Sequence, residues 1–248
     1  MPALLYNFLM NHLAMAKTVM AAGLLVLISG CTTTPELSPA PSANEARGLE
    51  EAAVSTVEGV NMVARADAWP GRPEIREEVT PLRVTIENNS NQPLRIHYSE
   101  FALVSPTGKR YAALPPFAIE GDVEEPVVFE NDYAVPRPAF SYNRFSVAPF
   151  YAGTYPAMQY YPGPFYYDQF YYDRYYTYWR EIDLPTEEML ERALPEGVID
   201  PGGQVEGFLY FEKVDVEEPR VRLRVDLVNA RDGDIFGTIT IPFTVQED

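Results

Sequence analysis

From Val79 onward apolar and polar residues alternate with a period of two: Leu82, Val84 and Ile86 stand between Arg83, Thr85 and Glu87. That period puts one set of side chains on a buried face and the other in water, which predicts a β-strand. Asn88-Asn89-Ser90-Asn91-Gln92-Pro93 is dense in turn formers. Alternation resumes with Leu94, Ile96 and Tyr98 against Arg95, His97 and Ser99, so the two runs predict a hairpin with His97 on its wet side. Phe101 and Leu103 lead to a Pro106-Thr107-Gly108 turn, Arg110 to Leu114 forms a further short strand, and Val57 to Ala66 supplies a first strand upstream.

The C-terminal half repeats the pattern more clearly. Val205 to Val214 contains Gly-Phe-Leu-Tyr-Phe, apolar on both faces, as expected of a central strand covered on both sides. Val221, Leu223, Val225 and Leu227 alternate with Arg220, Arg222, Arg224 and Asp226, and the arginines are expected to pair with acids across the sheet. Arg231-Asp232-Gly233-Asp234 makes a turn, and Ile235, Ile239, Ile241, Phe243 and Val245 form the last strand. One segment departs from the period of two. Residues 183–194 have a proline near the start, acids in the first turn and Pro195 as a stop, which predicts a short helix.

The N-terminus has a different pattern. Thr18 to Ile28 is an apolar run preceded by Lys17. It is too short to span a bilayer core of about 30 Å, and it fits the apolar region of a secretion signal. Its ending, Leu27-Ile28-Ser29-Gly30-Cys31, resembles the lipobox of bacterial lipoproteins. The resemblance implies cleavage before Cys31, diacylglycerol on its thiol and, with Thr32 following the cysteine, retention at the outer membrane. The start is open between Met1, Met10 and Met15, and Met15-Ala-Lys gives the more typical signal. Residues 1–30 are therefore expected to be a signal peptide. Residues 31–53, rich in Thr, Pro, Ser, Ala and Glu, are expected to be a disordered tether, with a reach of about 25–30 Å.

For residues 54–248 the strand count predicts a mainly β fold, an antiparallel β-sandwich of immunoglobulin-like type. The N-x-(S)-x-x-P-L hairpin around Asn88–Leu94 and the Pro201-Gly202-Gly203-Gln204-Val205-Glu206-Gly207-Phe208 strand entry resemble the immunoglobulin-like sandwich of envelope lipoproteins. That resemblance implies a fold and a location, and brings no catalytic residues.

Residues 116–180 interrupt this domain. Between Phe140 and Arg180 lie 12 Tyr, 5 Phe and Trp179, 18 of the chain's 32 aromatic residues. Tyr166, Tyr167, Tyr171, Tyr172, Tyr175, Tyr176 and Trp179 are the candidate binding surface, because Tyr and Trp give rigid contact area that stacks on sugars or partner side chains. The competing reading is a loop that packs against the sandwich or stays mobile.

Composition narrows the chemistry. Among 248 residues there are 36 acidic and 19 basic side chains, a formal net charge of -17, with one cysteine and two histidines. Cleavage before Cys31 removes only Lys17 from this balance and takes the mature chain to -18. So acidic a chain is a poor partner for nucleic acid, whose phosphates are held by Lys and Arg. A lone cysteine rules out an intrachain disulfide, and His97 is the single histidine after cleavage. Asp232-Gly233-Asp234 and Gly121–Glu125 read as turn and solvated chain rather than Ca²⁺ loops. The sequence thus predicts a non-enzymatic, lipid-anchored envelope protein with no cofactor or metal, working as an interaction or structural module. The alternative is a glycan- or peptidoglycan-binding module that uses the tyrosine-rich insertion.

Overall fold

The alternating segments pair into one antiparallel network of twelve strands among the described residues. The structure, a computed structural model, describes residues 34–116, 141–149, 155, 157–163, 170, 171, 175 and 186–247, apart from 47, 50, 67 and 72–74. In chain order the elements are β1 (Pro35–Pro39), β2 (Asn44–Glu45), β3 (Ala52–Val57), β4 (Val60–Arg65), α1 (Ile75–Glu78), β5 (Val79–Asn88) and β6 (Leu94–Ile96). A 3-10 turn (Tyr98–Glu100) follows, then β7 (Phe101–Val104), β8 (Arg110–Leu114), β9 (Tyr142–Val147), α2 (Thr186–Arg192), β10 (Gly197–Glu212), β11 (Arg220–Asn229) and β12 (Ile235–Glu247).

The strand order is β1-β12-β11-β7-β8-β10-β5-β4-β3-β2, with β6 bridging β10 and β11 and β9 on β10. The two ends of this path pack face to face. Leu103, Val221, Leu223, Ile239, Ile241 and Phe243 from one half share a buried core with Met62, Val84, Ile86, Val205 and Leu209 from the other. The expected mainly β, antiparallel class is therefore what the chain adopts, in a sandwich-like arrangement.

The apolar-on-both-faces segment of β10 is explained by what covers it. Val205, Leu209 and Phe211 face the main core. Phe208 and Tyr210 face the other way, into a second cluster with Trp69, Ile75, Val79, Leu114, Met189 and Ala193. Trp69 meets Phe208 and Tyr210 edge-on, at centroid distances of 5.0 and 5.6 Å. The predicted helix is α2, which lies over this face, with the Leu194 amide donating to the Phe208 carbonyl at 2.8 Å. Gly207 allows that approach, because a Cβ there would stand 2.6 Å from the Leu194 Cα. The single-turn α1 was not predicted, since four residues are too few to show a helical period.

Five expectations are corrected. The hairpin expected of the first two alternating runs does not form: β5 pairs with β4 and β10, and β6 with β10 and β11. The tether expected over 31–53 includes β1, which pairs with the last strand from Pro35↔Glu247 to Pro39↔Phe243. Its one large apolar side chain, Leu37, is buried, and its prolines are tolerated because β1 ends the strand order. A single leucine among Pro, Glu and Ser is too weak a period to read from sequence. The first strand expected over Val57–Ala66 is present as β4, but it starts later, after a turn at Glu58 and Gly59, both at positive φ, that joins it to β3. The insertion expected over 116–180 is partly sandwich: β9 pairs with β10 and buries Phe145 and Val147. The arginines of β11 do not face acids across the sheet. Arg220, Arg222 and Arg224 oppose Thr244, Pro242 and Thr240, and Arg224 bonds Asp226 on its own strand at 3.1 Å.

Candidate functional site

Cys31, Tyr166, Tyr167, Tyr172, Tyr176 and Trp179 lie outside the described residues, as does Gly121–Glu125. Tyr171 and Tyr175 are described, and both point inward. The Tyr171 ring stacks on His97 with centroids 4.6 Å apart and planes 5° from parallel. Tyr175 stacks on Tyr171 at 5.2 Å and donates its hydroxyl hydrogen to the Ala113 carbonyl of β8. These two tyrosines are thus contacts between the insertion and the sandwich.

The polar groups beneath them come from two strand ends. β6 ends at Ile96, and the chain enters the 3-10 turn, breaking the alternation that had placed His97 on the wet side. His97 is 3% exposed, a correction to the sequence expectation. Glu100, three residues on, accepts the His97 amide at 3.0 Å through Oε2 and the Arg95 Nε at 2.6 Å through Oε1. Glu196, which lies between α2 and β10, accepts the Tyr98 amide at 3.0 Å and the Tyr171 hydroxyl through the same Oε1. Tyr98 donates its own hydroxyl hydrogen to the Leu194 carbonyl at 2.7 Å. Two buried carboxyl groups, an arginine and a histidine thereby tie β6, the end of α2, the start of β10 and Tyr171 of the insertion together.

Burial governs the protonation of this cluster. Burial pushes the Glu100 carboxyl up to about 8, against the pull of Arg95 and the His97 amide, and the charge of Glu196 pushes the same way. Burial also lowers the His97 imidazole to about 3, with the Arg95 charge adding to the effect. His97 is therefore neutral at physiological pH. The carboxyl oxygens that Arg95, Tyr98, Tyr171 and the His97 amide occupy are satisfied from within the protein. That suits a cluster that fixes segments in place.

Among the described residues, the aromatic rings most exposed to solvent are others. Phe170 is 73%, Tyr160 62% and Tyr142 42% exposed. Tyr160 forms a parallel bridge to Val147 at the end of β9, while Tyr142 begins that strand. Phe170 adjoins Tyr171 in the chain. Sequence reading favoured paired tyrosines and missed these three. No signal in a 41-residue stretch with 18 aromatic residues separates the rings that pack from the rings that face water.

Among the described residues no helix is long and apolar enough to cross a membrane. Compared with known proteins, the chain matches no family model, no curated protein and no solved structure.

Proposed function

We propose that the protein is a non-enzymatic envelope lipoprotein, held in the outer membrane by acyl chains on Cys31, whose β-sandwich serves as an interaction or structural module. The observation that carries this reading is the apolar run from Thr18 ending in Leu27-Ile28-Ser29-Gly30-Cys31. Two or more acyl chains give stable attachment, each buried methylene contributing about 0.8 kcal/mol. The immunoglobulin-like kinship implied by the Asn88–Leu94 and Pro201–Phe208 segments is part of the same proposal. In cells fed labelled palmitate, the native chain is expected to incorporate label and the Cys31→Ser variant none. Equal labelling of both sinks the anchor.

A second reading has its own support, the exposed rings of Tyr160 and Phe170, which are of the kind that stack on sugars. On this reading the module binds peptidoglycan or another glycan. The double variant Tyr160→Ala, Phe170→Ala is expected to keep its fold and to lose at least about tenfold in sacculus binding, as loss of hot-spot rings does. Sacculus pelleting that is unchanged in the double variant removes this reading. Deleting residues 140–180 is a poorer test, because it takes β9 and its buried Phe145 and Val147 out of the core.

A further inference from the structure

Resting on the anchor at Cys31, we infer that the sandwich stands close against the membrane on its β1 end and holds its exposed aromatic rings away from the bilayer. Ordering of β1 removes the slack that a tether over 31–53 would give. Only Thr32, Thr33 and Thr34 separate Cys31 from Pro35, which is already paired with Glu247. Fully extended, the chain from Cys31 to Pro35 spans no more than about 14 Å. A flexible tether of the expected length would have reached about twice as far.

The register fixes which end that is. Pro35 lies beside the end of β12, beyond the level at which Thr244 opposes Arg220, the first residue of β11. β6 lies at the opposite end of β11, where Leu94 and Arg95 pair with Asn229 and Val228. β6 in turn pairs Ile96 with Gly197, which also pairs with Val147, the residue bridged to Tyr160. β12 is 13 residues long, so its two ends are about 40 Å apart at the usual rise per residue. Tyr160 therefore belongs to the half of the sandwich remote from Pro35.

The membrane-facing end is not adhesive in itself. Glu36, Glu45 and Glu51, with Ser38, Leu49 and Gln246, line a groove of about 710 Å³ there. Those carboxylates share the sign of an anionic bilayer, and their repulsion fades within a Debye length of about 8 Å. The short link, more than any attraction, keeps this end near the lipid, and repulsion stretches the link without freeing the domain.

The test uses the lipidated full-length protein in vesicles of phosphatidylethanolamine and phosphatidylglycerol that carry a headgroup nitroxide. Cys31 is the chain's one cysteine and is blocked by its lipid, so a fluorophore can be placed alone at Gln246→Cys or at Asp234→Cys, both exposed. Label at 246 is expected to lose most of its emission and label at 234 to keep nearly all of it. A flexible Gly/Ser segment of 20 residues inserted after Thr34, with a reach of about 25 Å, is expected to restore emission at 246. Palmitate-labelled protein quenched equally at both positions, or more at 234, overturns the orientation and leaves the anchor standing. Protein that takes no palmitate overturns both.

Discussion

Replacing Gly197 by alanine is expected to lower the melting temperature by about 6–12 °C, a loss of about 3 kcal/mol or more for a domain of this size. Gly197 starts β10 and is paired on both sides, with Ile96 of β6 and Val147 of β9. A Cβ at this position would press into the Ser146 carbonyl oxygen, with Phe145 Cζ 2.7 Å away. The first of these is main chain in a paired strand, which cannot rotate aside as a side-chain tip can. The strain is relieved only by parting β9 from β10, which exposes the buried Phe145 and Val147. Gly108→Ala is the matched control: Gly108 has φ of +90° and nothing within 4 Å of a new Cβ, so its cost is backbone strain of about 1–2 kcal/mol. Amide exchange should be faster at Phe145–Val147 in Gly197→Ala and unchanged there in Gly108→Ala. Equal melting shifts in the two variants would falsify the steric argument.

The clash at Gly197 is set by β9, a strand hidden in the sequence, whereas other strands were plain in it. Strands that bury one face were legible because Leu82, Val84 and Ile86, or Val221, Leu223 and Val225, repeat over several residues with polar neighbours between them. β10 was legible as central because Phe208-Leu209-Tyr210-Phe211 leaves no polar face. β1 was not, because its pairing rests on backbone hydrogen bonds, one leucine and a Ser38–Thr244 hydroxyl bond. β9 was hidden for the opposite reason: Tyr142-Asn143-Arg144-Phe145-Ser146-Val147 lies in a stretch so aromatic that two strand-forming apolar residues carry no contrast.

The site was less legible than the fold. His97 fell on the polar side of an alternation that the chain abandons one residue earlier, at the end of β6. What buries it is Tyr171, more than seventy positions downstream in the chain, and local periodicity carries no information about so distant a contact. No sequence pattern marks Glu196, the residue after Pro195, yet it is fully buried and bonded to Tyr98 and Tyr171. The one candidate read with a specific pattern, Cys31, lies outside the described residues, so the fold has no bearing on it.

The buried Glu100 is expected to make the domain lose stability as the solution turns alkaline. Its folded value of about 8 stands above an ordinary 4.5, so between those limits the folded chain keeps a proton that the unfolded chain releases. Stability from this group is full below pH 4.5 and falls by about 1.4 kcal/mol per pH unit as pH rises toward 8. His97 acts in the opposite sense. Its folded value of about 3 lies below an ordinary 6.5, so its contribution is full above pH 6.5 and is lost as pH falls toward 3. The two slopes oppose each other between pH 4.5 and 6.5, and only Glu100 acts above that window. From pH 6.5 to 8 the native domain should therefore lose about 2 kcal/mol through this residue. Glu100→Gln removes the titration while keeping an amide oxygen for the Arg95 Nε. Urea unfolding of both chains from pH 4.5 to 8.5 gives a difference curve in which charges common to the two cancel. That difference is expected to fall steadily in the native chain's disfavour up to pH 8 and then level off. A flat difference would mean that Arg95 holds Glu100 ionised throughout, and that burial does not win.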